Sequence, residues 1–233
     1  MNTLNALAAW SGGKDSCLAC YKAMQQGYKV KYLLNFLSKE YKRCCFHGVD
    51  PQLISLQAQA LNIPLIQREV ASDMGAYEKE FKEAVLEIKT KNINTMIFGD
   101  IFLLDHESWV ERVCGEIGIK ALEPLWDRPP LEIIREFIDT GFKTIIVSAH
   151  AEKLGEEFVG QYIDHNLVDK LLAKNVCPCG ENGEFHTLVV DGPIFEKEIK
   201  IIRSEKIIKE GFWRHWFLDI KEYTTQNKLI QTH

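Results

Sequence analysis

At 233 residues, with 46% hydrophobic residues, 26% charged residues and a net charge of −5, the chain has the makeup of a globular protein of one large domain or two modest ones. The acidic balance gives no bulk attraction to nucleic acid, so nucleic acid is not an expected partner. No apolar stretch is long enough to span a bilayer, no basic leader opens the chain, and seven cysteines without a stapling pattern fit reduced thiols in a cytoplasm.

In chain order, residues 4–10 read as a buried strand and 17–26 as a helix closed by Gly27. Residues 30–37 form the next strand and 38–49 a loop. Asp50 and Pro51 then open a helix to residue 61, the first as cap and the second in the first turn. A short strand at 64–70 precedes an amphipathic helix at 77–91, where Phe81, Val85 and Ile88 recur at helical spacing. Residues 95–99 read as a strand, 107–117 as a helix and 121–125 as a strand. Such alternation predicts an α/β fold, a doubly wound parallel sheet with helices on both faces. Ligands of such sheets sit at the carboxyl ends of strands where the strand order reverses. Beyond Trp126 the texture changes. A helix from Arg128-Pro129-Pro130 to residue 140 leads to a strand at 143–148, and further strands are expected at 187–190, 199–202 and 212–220. The expected division is a nucleotide-binding domain over 1–126, a smaller C-terminal α+β substrate domain over 127–223, and a frayed polar tail over 224–233.

The first strand runs into Ser11-Gly12-Gly13-Lys14-Asp15-Ser16. A strand feeding a glycine-rich turn into a helix N-terminus makes an anion site, because unpaired backbone N–H groups and the helix dipole favour negative charge. Gly12 and Gly13 allow close backbone approach, Ser11 and Ser16 add hydroxyls, and Lys14 adds a positive charge. The loop is not a Walker motif: Ala8 stands where that motif has glycine, and Asp15 where it has Ser or Thr.

Ser-Gly-Gly-Lys-Asp-Ser after a first hydrophobic strand resembles the pyrophosphate (PP) loop of the N-type ATP pyrophosphatases. A second stretch, Cys179-Gly180-Glu181-Asn182-Gly183-Glu184-Phe185-His186-Thr187, continuing to Pro193, resembles the second signature of the diphthine–ammonia ligase family. Glu111-Arg112-Val113-Cys114, Pro124-Leu125-Trp126 and the run 141–147 resemble the same family, so the likeness extends from Ala8 to about Phe195. The segment from Gly99-Asp100-Ile101 to Trp109 departs from the ligase pattern and resembles a related branch with a different substrate.

The resemblance implies an adenine nucleotide alpha hydrolase-like fold of the HUP type. It also implies an ATP-dependent ligase that cleaves ATP to AMP and pyrophosphate, adenylates a carboxylate and transfers ammonia to it. ATP, ammonium, Mg²⁺ and a protein carboxylate such as diphthine on elongation factor 2 are the implied substrates and cofactor; the oligomeric state is not readable. On that reading Ser11, Gly12, Gly13 and Ser16 cradle the phosphates, Lys14 stabilises charge developing on pyrophosphate, and Asp15 holds Mg²⁺. Gly99 and Asp100 border the nucleotide at the other strand end. Glu181 and Glu184 are the expected catalytic carboxylates: they bind a second Mg²⁺, with Glu184 as the ligand, hold ammonium, or act as base toward it. Asn182, His186 and Thr187 read the substrate, with Arg112 and His47 as further candidates. By residue type alone, Glu-Asn-Gly-Glu is equally good turn chemistry, an ion pair with Glu116, four residues on, is the more frequent outcome for Arg112, and a plain surface position is the more frequent one for His47.

Cys17 and Cys20, three apart on one helix face, read as small buried thiols. Cys177-Pro178-Cys179 has no second paired motif at zinc-like spacing. Two alternatives remain: a tRNA-thiolating PP-loop enzyme, in which such thiols carry sulfur, and a sensor that holds adenine nucleotide without turnover.

Overall fold

The computed structural model describes residues 4–45, 48–210 and 214–228. His47 therefore lies outside the described residues. The chain packs as two compact units. The first comprises residues 4–11, 15–45 and 63–128; the second comprises 12–14, 48–62 and the described residues from 129 onward.

Five strands build the sheet of the first unit: β1 (Asn5–Ala9), β2 (Lys29–Ser38), β3 (Leu65–Val70), β4 (Thr95–Ile97) and β5 (Lys120–Leu122). All pair in parallel, in the order β3-β2-β1-β4-β5. The order reverses between β1 and β4, so the carboxyl ends of these two strands flank the switch point of a doubly wound sheet. Helices α1 (Lys14–Gln25), α3 (Met74–Lys89) and α4 (Leu104–Glu116) belong to this alternation, as does α2 (Pro51–Leu61) by sequence. The core is apolar: Leu7, Leu34 and Met96 of the sheet are buried with Phe81, Val85, Val110 and Val113 of the helices.

Local signals explain the helix ends. Asp50 accepts from the Gln52 N–H at 2.8 Å, and Asn62 closes α2 in the left-handed region. Asp73 accepts from the Ala76 N–H at 2.9 Å and starts α3 at Met74, three residues before its apolar period becomes visible. α1 starts at Lys14 rather than residue 17, because the glycine turn passes straight into the helix.

The second unit holds a four-stranded antiparallel sheet of β6 (Lys143–His150), β7 (Phe185–Asp191), β8 (Lys197–Lys209) and β9 (His215–Asn227), in the order β7-β6-β9-β8. It also holds α2, α5 (Pro130–Asp139) and α6 (His165–Ala173). Asp164 caps α6, whose Leu167, Val168 and Leu171 are buried; the sequence reading missed this helix. The expected frayed tail is corrected for residues 224–227. Thr224 pairs with Lys200 and Thr225 with Ile199, so residues 224–227 are the last part of β9, paired with β8.

Candidate functional site

In the first unit, the chain leaves β1 at Ser11 and opens α1 with Asp15 and Ser16. The Ser11 and Ser16 hydroxyls lie 3.2 Å apart. The buried Asn35 of β2 donates its Nδ2 to the Trp10 carbonyl at 2.9 Å, fixing the peptide that precedes the loop. Past the end of β4, a Cβ added to Gly99 would lie 2.8 Å from the Asp15 carbonyl carbon and 2.9 Å from the Ser16 nitrogen. Backbone meets backbone there, so only glycine fits. Gly99 thus stands against the start of α1, and Asp100 follows it, paired with Nδ1 of His106 at 3.0 Å.

Near these strand ends stands Glu123, just after β5. Burial pushes its carboxyl up to about 7, with the charges of Asp100, Glu107 and Glu111 adding to the shift. Its Oε1 is buried with no hydrogen-bond partner among the described residues. Sequence reasoning passed over this carboxylate, whose only signal was an acid among apolar residues at a strand end.

Gly12, Gly13 and Lys14 cluster with the second unit, where they run along the free edge of β7. The Val189 N–H donates to the Gly12 carbonyl at 2.9 Å, and the Lys14 N–H donates to Thr187 Oγ1 at 3.1 Å. Gln57 of α2, fully buried, donates Nε2 to the carbonyls of Gly12 (2.9 Å) and Val189 (2.6 Å). Gly12 has φ +81°, and a Cβ on it would strike Ile54 Cδ1 and Gln57 Oε1 at 2.4 and 2.5 Å. The conformation and the space both demand glycine. The Lys14 ammonium is buried, donates to the Cys179 carbonyl and lies 5.7 Å from the Phe185 ring centroid.

Several candidate residues have other work. Thr187 is not a substrate reader in this geometry: its hydroxyl is buried and occupied by the loop. Both carboxylate oxygens of Glu184, only 3% exposed, accept bonds: from the Asn182 N–H (2.9 Å), Asn182 Nδ2 (3.1 Å) and the Cys177 N–H (3.3 Å), with Lys153 at 3.8 Å. Burial alone would raise its pKa, but these donors reverse the effect and hold it below the usual range. Glu184 therefore organises the Cys177–Glu184 turn, and Asn182 spends its side chain on the same turn. A carboxylate so engaged is poorly placed as a base or Mg²⁺ ligand. Glu181 and His186 are half-exposed on that turn and on β7.

Arg112 makes the ion pair with Glu116 that the sequence also offered. Its guanidinium grips Glu78 at 2.6 and 2.9 Å and Glu116 at 3.0 Å, and Lys82 completes the exposed network. The fork geometry of Arg matches a carboxylate, and Glu78 on α3 supplies it.

Among the described residues no three His, Cys, Asp or Glu side chains form a group able to hold a metal ion. The donors at the loop, Asp15 and two serine hydroxyls, suit a Mg²⁺ ion that keeps waters and takes most oxygens from substrate phosphates. The cysteines described are free thiols. Burial pushes Cys20 up to about 12 and raises Cys17, which suits inert packing. Cys179 is buried with its thiol on the Pro130 carbonyl at 3.2 Å, whereas Cys177 is half-exposed.

Comparison with known proteins shows the family. Family models described as diphthamide synthase N-terminal domain and diphthamide synthase C-terminal domain match residues 4–121 and 129–225. The chain belongs to the diphthamide synthase family. Among its relatives, proteins named diphthine–ammonia ligase from Schizosaccharomyces pombe, Danio rerio and Homo sapiens are 25%, 26% and 26% identical to it. These likenesses cover 94%, 94% and 88% of this chain. The chain spans 39% of the length of the S. pombe protein but 95% of the D. rerio and 85% of the human one. No described helix is long and apolar enough to cross a membrane.

Proposed function

We propose that this member of the diphthamide synthase family is an ATP-dependent ligase that cleaves ATP to AMP and pyrophosphate and transfers ammonia to the adenylated carboxylate. The observation that carries the reading is the Ser11–Ser16 loop, seated where the strand order of a parallel sheet reverses and opening α1. The names of the relatives favour a protein-borne diphthine carboxylate as acceptor. Residues 1–126 serve as the nucleotide domain and 127–223 as the substrate domain, with α2 grouped by packing with the latter.

Ammonia attacks a free carboxylate poorly because oxide is a poor leaving group; AMP is a good one. The chain's task is to hold the phosphates in line and to neutralise charge on departing pyrophosphate. Backbone N–H groups of Gly12 and Gly13 and the Ser11 and Ser16 hydroxyls form the cradle. Lys14, whose ammonium donates to the Cys179 carbonyl, exchanges that partner for a phosphate oxygen and stabilises charge developing on pyrophosphate. Asp15 would hold Mg²⁺, which would supply shielding of the phosphate oxygens from repulsion. Gly99 and Asp100 border the nucleotide. Glu181 and His186, with side chains on the signature turn and β7, face ammonium and acceptor, while Glu184 and Asn182 keep that turn in shape.

Incubation of the purified chain with ATP labelled at the α-phosphate, Mg²⁺, ammonium and a diphthine-bearing acceptor tests the reading. AMP and pyrophosphate are expected, in step with amide formation. Release of ADP and orthophosphate, or tight ATP binding with no turnover, overturns it; the second result would favour a nucleotide sensor.

A further inference from the structure

We propose that Gln57 is a positioning residue of the nucleotide loop, acting through the Gly12–Gly13 peptide, which rests on the reading of that loop as the ATP site. Gln57 stands on the apolar face of α2 beside Leu53, Ile54, Ala58 and Leu61, where helical spacing calls for a hydrophobic side chain. A fully buried carboxamide is costly unless its donors are used. Its Nε2 donates to two backbone carbonyls on different segments, Gly12 in the loop and Val189 in β7. The Gly12 carbonyl also accepts the Val189 N–H, so two donors converge on one oxygen and fix the plane of its peptide.

That plane matters because the peptide is trans. With the Gly12 carbonyl held toward Gln57 and β7, the Gly13 N–H of the same peptide is turned to the opposite side. Two successive glycines do not hold such an orientation themselves, since both rotate with little steric restraint. Without Gln57 the carbonyl keeps only the Val189 N–H, and a peptide held by one bond between two glycines rotates more readily away from the orientation that offers an N–H to a phosphate. Gln57 thus adds to the Val189 N–H a second restraint that the glycines lack, from a helix distant in sequence from the loop. Its amide touches no substrate; it sets the direction of a donor that does.

The test uses the full chain and Gln57→Met, which keeps the shape of the side chain and removes both donors. Affinities for ATP and for inorganic pyrophosphate, each with Mg²⁺, are measured by calorimetry beside steady-state rates. The expected result is a loss of about tenfold or more in affinity for both, a matching rise in the apparent KM for ATP, and an unchanged KM for ammonium. A merely structural role would instead reduce the active fraction, lowering kcat with both KM values intact, and that result overturns the inference. Unchanged affinity for ATP and pyrophosphate in Gln57→Met, with wild-type binding normal, overturns the inference and leaves the ligase reading standing. Failure of the wild-type chain to bind ATP overturns the ligase reading and the inference with it. Should Gln57→Met not fold, Gln57→Asn, whose amide is drawn back by one methylene, is subjected to the same comparison.

Discussion

Glu123 shows how one side chain records its surroundings. Its carboxyl is raised to about 7 by burial first and by Asp100, Glu107 and Glu111 after it. In the unfolded chain it titrates near 4.5, so below that pH both states hold the proton. Between about 4.5 and 7 the folded state binds the proton more tightly, and its stability falls as pH rises through that window. Glu123→Gln removes the charge in both states. The variant is expected to melt above wild type at pH 8 and level with it at pH 4.5, as differential scanning calorimetry would read. A gap of equal size at both pH values would mean that the charge is not the cause. Glu184 behaves oppositely: its donors hold the carboxylate ionised, which suits a residue that shapes a turn rather than one that shuttles protons.

At the scale of elements, the decisive contact in the first unit is the exit of β4 against the start of α1. Gly99 allows it because the atoms a Cβ would meet are backbone atoms of Asp15 and Ser16, which cannot swing aside as a side-chain tip can. Gly99→Ala is expected to push α1 from the strand end at a cost of about 1–3 kcal/mol. Affinity for ATP should fall about tenfold or more, measured by nucleotide titration of the variant while it remains folded; wild-type affinity would remove Gly99 from the site. On the faces of α3 and α4, the Glu78–Lys82–Arg112–Glu116 network binds the two helices through charges at helical spacing. Arg112 and Glu116 were readable as an i, i+4 pair, but Glu78 was not, because its approach depends on helix packing.

Over the whole molecule, the chain packs as two units, Ser11, Asp15 and Ser16 grouping with the first and Gly12–Lys14 with the second. On the proposed reading, ATP binds the folded chain and not the unfolded one, and so stabilises the fold by mass action. ATP with Mg²⁺ at about a hundred times its Kd is expected to add ~2.7 kcal/mol, a rise in Tm of about 5–11 °C for a chain of this size. Thermal melts at increasing ATP would show the shift, and a Tm indifferent to ATP would contradict it.

By itself the sequence determined the alternation of strands and helices, the cap at Asp50 and the glycine-rich turn at Ser11–Ser16, because periodicity, capping and glycine turns are local properties; the cap at Asp73 came only with the structure. It also carried the two family signatures. Only the tertiary structure decided that residues 12–14 and α2 group with the C-terminal sheet, that Thr187 and Glu184 are consumed by the backbone, and that Asn35 and Gln57 hold the loop. The bonds of Thr187, Asn35 and Gln57 pair buried polar groups with partners remote in sequence, while Glu184 takes its donors from its own turn. A buried donor must find some acceptor, yet which one it finds is set by packing and not by its neighbours along the chain.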